Sequence, residues 1–225
     1  MVSQTTGTIH LAGRRARAMK TNYLSYQIFR TDALTPWKSF CRLISFNDEV
    51  LSGGGQIRVQ TYPGEYSLLM PVAGEMVVTA GEYNDRVEPG EMLIIPPGEI
   101  SNFFVSSPSH SNPVNYLSFR IKTTVPVTAP TPVKQNFDLT LTHPSGCLLW
   151  EIPGVKVSMV KLGGRQDGEY RPKEKGVFVF VMAGVWEVQN RLLQDRDGLS
   201  LKYPGTVEYE SLSPEGILLM IETAE

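Results

Sequence analysis

Few side chains in this sequence could grip a transition metal. Three histidines (His10, His110, His143) and two cysteines (Cys41, Cys147) are its only imidazole and thiol donors, and none is spaced as a ligand set. His10 alternates with Ile9 and Leu11 in TIHLAG, so it should take the opposite face of a strand from them, as a hydrogen-bonded or exposed side chain rather than a ligand. His110 in SSPSHSNP and His143 in THPSG read as exposed turn residues. The cysteines form no CxxC pair and, in FCRLISF and GCLLW, read as two buried thiols of a reducing compartment. Glu65, Glu82, Asp85, Glu91 and Glu99, with Tyr66 and Tyr83, read as solvated turn and edge groups, with a carboxylate-only divalent site as the lesser alternative. The glycine run in SGGGQ lacks the Lys-Ser or Lys-Thr pair and following helix of a phosphate loop, so a hairpin turn is expected there.

The elements that would position such groups centre on residues 55–105. Short apolar runs alternate between turns at Gly55, Gly74, Gly90 and Gly98, which predicts strands rather than helices and a small antiparallel barrel. After Val105, VNYLSFRI closes that barrel as a further strand. The proline-rich stretch 122–135 (KTTVPVTAPTPVKQ) predicts an extended connector, because repeated proline excludes a helix or a central strand. The second half then repeats the first, with FVMAGVWEV beside LLMPVAGEMVV and DGLSLKYPG beside PGEMLIIPPG. These phrases align Gly184 with Gly74 and Gly198 with Gly90. The expected organisation is a barrel at 1–121, a linker at 122–135 and a second barrel at 136–225.

These phrases resemble the cupin family, whose first motif runs glycine, five residues, His-x-His, three or four residues, Glu, six residues, glycine. Its second runs glycine, five residues, Pro-x-Gly, two residues, His. Counted from Gly55, the histidine positions fall on Thr61 and Pro63, the glutamate position on Ser67 and the closing glycine on Gly74. Counted from Gly90, Pro96 and Gly98 match and the histidine position is Ser101. A register one residue earlier uses Gln60 and Tyr62, and places the last position near Phe103. The spacing matches while the ligand types do not, because hydroxyls and a proline ring cannot replace imidazole or carboxylate. In the second repeat the matching positions are Arg171, Lys173 and Val177.

Within that family the chain is most similar to the pirin-like proteins, through its opening strand and aromatic-rich first segments and through VFVFVMAGVWEVQNRLLQDRDGLSL and VEYESLSPEGILLMIE. The resemblance implies an all-β fold of two tandem cupin (double-stranded β-helix, jelly-roll) barrels, the first of which would carry the metal. It further implies iron held by three histidines and a glutamate, flavonol oxidation with dioxygen in some members, and transcriptional cofactor roles in others. Because the ligand positions differ here, the expectation is a degenerate metal site with no metal and no cofactor.

Composition narrows the partners. A formal net charge of -2 and a pI near 6.0 supply no positive field for a phosphate backbone, so no direct nucleic-acid binding is expected. The cluster Arg14, Arg15, Arg17 and Lys20 reads as a solvated face or turn. No apolar run approaches a membrane span or a signal peptide, so a cytoplasmic protein without membrane contact is expected. The expected pocket is lined by Thr61, Tyr62, Ser67, Ser101 and Asn102 beside Met70 and Phe103, and the alternative is an interior filled by Tyr, Phe and Met. The functional expectation is a small-molecule-binding or protein-interaction (regulatory) protein. Its alternative is a quercetinase-like dioxygenase with an unconventional metal site.

Overall fold

A computed structural model describes residues 5–29, 38–98, 100–124, 131–138, 140 and 146–225. Trp37, Glu99 and His143 lie outside the described residues. Among the described residues there is no α-helix, and one 3-10 turn occupies Ala12–Arg14. Strand β1 (Gly7–His10) leads through that turn to β2 (Ala16–Lys20), β3 (Tyr23–Phe29) and β4 (Leu43–Leu51). Next come β5 (Gln56–Gln60), β6 (Glu65–Ala73), β7 (Met76–Ala80) and β8 (Tyr83–Val87). They are followed by β9 (Glu91–Ile95), β10 (Asn102–Ser106), β11 (Val114–Lys122) and β12 (Val133–Asn136). The remainder carries β13 (Cys147–Ile152), β14 (Val155–Gly163), β15 (Asp167–Tyr170), β16 (Gly176–Ala183) and β17 (Trp186–Val188). The chain ends with β18 (Arg191–Leu193), β19 (Gly198–Lys202), β20 (Val207–Ser211) and β21 (Glu215–Thr223).

The chain forms two compact units, Ala16–Phe137 and Met1–Arg15 with Asp138–Glu225. In the first, a seven-stranded sheet (β12-β9-β6-β11-β4-β3-β2) accompanies a four-stranded one (β5-β10-β7-β8). In the second, a six-stranded sheet (β1-β19-β16-β21-β14-β13) accompanies a four-stranded one (β15-β20-β17-β18). Inward residues of both sheets make each core: Leu51, Leu69, Met76, Val78, Phe103 and Val105 in the first, Val160, Val179, Trp186, Leu201 and Leu218 in the second. The alternation read from the sequence is what buries one face of each strand.

Two boundaries differ from the sequence reading. The opening strand does not join the first barrel, because Gly7–His10 pairs antiparallel with Gly198–Leu201 in the second unit. Local alternation announces a strand but not its partner. The expected connector is partly strand: β12 adds to the edge of β9 from Val133↔Ile94 to Asn136↔Glu91. The strand begins after Pro132 and contains no proline itself, and residues 125–130 lie outside the described residues.

The internal repeat holds at its first glycine pair. Gly74 and Gly184 both have left-handed φ (76° and 86°), and a Cβ there would meet Pro113 O at 2.9 Å and Glu215 O at 2.8 Å, respectively. The second glycine pair is corrected by sheet register. Leu69 opposes Leu93 and Val179 opposes Leu199, so Gly90 (φ 97°) corresponds to left-handed Arg196 (φ 68°) and not to Gly198. Neither cysteine is in a disulfide, and both are half-buried rather than buried, since Cys41 sits in a turn and Cys147 opens the edge strand β13.

His10 does take the face opposite Ile9 and Leu11, which are 40% and 44% exposed. It is buried, with Nε2 2.8 Å from Ser200 Oγ and its ring edge-on to Phe178. His110 is exposed, on a loop where Gly54 N donates to Ser109 O at 2.7 Å.

Candidate functional site

Strand parity in the first unit sets up the site. Leu51 on β4 points into the core, so Glu49, Asn47 and Ser45 share its face. Tyr116 on β11 and Leu69 on β6 likewise carry Ser118, Arg120 and Ser67 inward. Pairing assembles three rows across the sheet: Ser25–Glu49–Tyr116, Gln27–Asn47–Ser118–Leu69, and Ser45–Arg120–Ser67. One end of this inner face is apolar and the other polar. A cavity of about 320 Å³ opens over the polar end, closed from the other sheet by Ile57, Val59 and Phe103.

Glu49 dominates its chemistry. The residue is 3% exposed, and burial pushes its carboxyl up to about 7. Tyr23, Ser25 and Asn47 stand close enough to draw it partway back, and the charge of Asp48 adds to the rise. Asp48 itself is held by Asn115, whose Nδ2 donates to Asp48 Oδ1 at 2.7 Å and to Glu49 O at 3.0 Å. The Tyr23 and Tyr116 phenols are raised above their ordinary range, first by burial and then by the Glu49 charge, so both remain protonated hydroxyls. Glu49 Oε2, Asn47 Oδ1 and Ser67 Oγ are shielded, and none meets a hydrogen-bond partner among the described residues.

The mouth is cationic. Arg120 donates through Nε to Ser45 Oγ at 3.0 Å and through Nη1 to Glu65 Oε2 at 2.9 Å, with Tyr62 stacked at 4.5 Å from its guanidinium carbon. Lys20 and Arg58 also line the cavity, and neither forms an ion pair among the described residues.

Of the residues expected from the sequence, Tyr62, Ser67 and Phe103 line this cavity. Thr61, Ser101 and Asn102 do not: Thr61 Oγ1 donates to Ile100 O, Ser101 is exposed, and Asn102 Nδ2 donates to Ser101 Oγ at 3.0 Å. Met70 lies on the other face of β6 from Ser67 and is fully buried. The motif spacing leads to the β5–β6 and β9–β10 loops, whereas the polar wall comes mainly from β3, β4 and β11. The signal that finds Glu49 is the parity of LISFNDEVL counted back from core Leu51.

The second unit differs in character at the equivalent positions. Register makes Val160, Leu218, Met220 and Val177 the counterparts of Glu49, Tyr116, Ser118 and Ser67, and all four are buried core. Apolar side chains thus replace four polar residues of the first unit, while Ser158 and Lys156, the counterparts of Asn47 and Ser45, stay polar. Its Glu222, the counterpart of Arg120, is fully engaged by Tyr170 Oη and by the amides of Lys173 (2.6 Å) and Glu174 (2.7 Å). A shallow concavity on this unit's four-stranded sheet carries Asp167, Glu169, Glu187, Glu208 and Glu210 at an open surface.

The donors in the cavity do not fit a transition metal, since its lining offers one carboxylate, no imidazole and three cations. Elsewhere Glu65 is taken by Arg120, while Asp85 and Glu91 hold Lys134 at 3.0 and 3.4 Å. Among the described residues no three His, Cys, Asp or Glu side chains are grouped to hold an ion. No helix among them is long and apolar enough to cross a membrane.

No protein family and no curated protein matches the chain by sequence. Solved structures do match by shape. Bacterial pirin YhhW from Escherichia coli, solved in complex with nickel(II), superimposes with a TM-score of 0.85 over 98% of this chain and 100% of its own, at 16% identity. Protein YhaK from Escherichia coli gives 0.75 at 15% identity, covering 89% of this chain and 94% of that one. Quercetin 2,3-dioxygenase from Acinetobacter baumannii gives 0.71 at 12% identity, over 96% of this chain and 85% of that one. The fold is therefore the all-β cupin jelly roll.

Proposed function

We propose that this chain is a pirin-like bicupin whose first barrel binds a small organic molecule without a transition metal. The observation behind this reading is the concentration of unmet hydrogen-bonding capacity, on Asn47, Glu49 and Ser67, around one cavity of about 320 Å³. Buried polar atoms without partners are costly, and a convergent set of them beside apolar walls is the usual make-up of a ligand site. Ile57, Val59 and Phe103 supply the apolar wall for a compact, partly aromatic body.

The test fills the polar rows with their counterparts from the second unit. The double substitution Ser67→Val with Ser118→Met should leave the melting temperature unchanged or higher and abolish the thermal shift given by benzyl alcohol or benzoate. A wild-type protein that shows no shift with either probe would sink the reading.

The alternative is a dioxygenase acting on a flavonol, the activity named for the Acinetobacter neighbour. It requires a redox metal in a nitrogen-rich shell, which the lining does not supply. Metal-supplemented protein given quercetin is expected to take up no oxygen. For the protein-partner reading, the exposed large apolar side chains Met19, Leu148 and Leu192 come from separate strands, and Ile9 with Leu11 is a small neighbouring pair.

A further inference from the structure

The charges around the cavity say more about its occupant than its shape does. Lys20 on β2 and Arg120 on β11 stand at the opening, Arg58 lies on the outer face of β5, opposite Ile57 and Val59, and Glu49 is the one carboxylate in the lining. Glu65 offsets Arg120 from outside the lining, which leaves Lys20 as the cation of the lining with no ion pair among the described residues. A neutral ligand would gain nothing from that charge, whereas an anion entering beside it would find its counter-charge in place.

An anion would also meet Glu49 at the cavity wall. Two negative charges sharing a water-poor cavity repel strongly, and a proton on Glu49 removes the repulsion. The other groups facing Glu49 do not take over this role. Tyr23 on β3 and Tyr116 on β11 stay protonated through neutrality. Asp48 on β4 turns to the opposite face and is held by Asn115. The cations Lys20 and Arg120 belong to the same lining.

We propose that the occupant of this cavity is a small organic anion, and that its binding is coupled to protonation of Glu49, so that its affinity falls as pH rises. This rests on the ligand-site reading and adds to it the charge of the ligand and its regulation by pH. Reciprocity requires that the bound anion raise the affinity of Glu49 for its proton as much as the proton raises affinity for the anion.

Calorimetric titration of the full chain with benzoate, which stays ionised from pH 6 to pH 8, and with neutral benzyl alcohol separates the possibilities. Benzoate is expected to bind roughly fivefold more weakly at pH 8 than at pH 6, while benzyl alcohol binds equally at both. Glu49→Gln, a neutral mimic of the protonated side chain, should hold benzoate equally at the two pH values. Lys20→Gln, at an exposed rim position opposite Tyr23, should weaken benzoate and not benzyl alcohol. Benzyl alcohol binding without benzoate, or a benzoate pH dependence that persists in Glu49→Gln, would overturn the inference and leave the ligand site standing. Failure of both probes would remove the ligand site together with it.

Discussion

At the scale of single residues, Glu49 shows how a strand position outweighs a residue type. Its neighbour Asp48 is an acid of the same charge, but on the outward face Asn115 satisfies it, whereas Glu49 turns inward between Ser25 and Tyr116. Burial raises its carboxyl from 4.5 to about 7. A carboxyl raised on folding favours the protonated native state, so its stabilising contribution is complete below the unfolded value and is lost as pH rises through the folded one. Between pH 5 and pH 8 that loss is about 2 to 3 kcal/mol. Glu49→Gln should therefore flatten the stability of the first unit over this interval and raise it at pH 8, as read by urea unfolding at the two pH values. An unchanged pH slope in the variant would mean that Glu49 is ionised and solvated in the native protein.

At the scale of elements, much was legible because turns and alternation are local. The glycines at 74 and 184 marked equivalent corners correctly, since only residues free of Cβ strain fit a left-handed turn beside Pro113 O and Glu215 O. Arg196 was missed as the equivalent of Gly90 because a non-glycine residue occupies the left-handed position. The wall of the cavity was missed for a related reason. The motif spacing points to Thr61, Ser101 and Asn102 on loops, whereas counting from Leu51 and Tyr116 turns Glu49, Asn47 and Ser118 inward on strands. The partner of β1 was not legible at all, since Gly198–Leu201 lies far along the chain.

The same close packing makes a sharp prediction for β21. A Cβ at Gly216 would lie 2.7 Å from Ser211 Oγ and from two ring carbons of Trp186, which is fully buried with Nε1 donating to Ala183 O at 3.0 Å. Backbone and indole cannot both stay in place, so Gly216→Ala should cost about 1 to 3 kcal/mol. The check is urea unfolding together with the near-ultraviolet dichroism of the displaced indole. A variant with unchanged stability and spectrum would mean that the strand absorbs a methyl group without moving Trp186.

At the scale of the whole molecule, the two units carry buried titratable groups of opposite sense. His10 belongs to the second unit, where burial lowers its imidazole from 6.5 to about 4. Its neutral form is the one that folds, so the stability it supports is present above the unfolded value and is lost as pH falls towards the folded one, by about 2 kcal/mol at pH 5. Glu49 acts the other way in the first unit, weakening it as pH rises. A chain of two units with opposed slopes need not unfold in one step, and the unit that opens first should exchange with pH. Hydrogen exchange corrected for intrinsic rates should show β16, β19 and β21 losing protection relative to β4, β6 and β11 at pH 5, with the order reversed at pH 8. His10→Gln should abolish the acid-side change while leaving the alkaline one intact, because Ser200 keeps a hydrogen-bonding partner that no longer titrates. Parallel loss of protection in both units at both pH values would show that neither buried group governs its own unit.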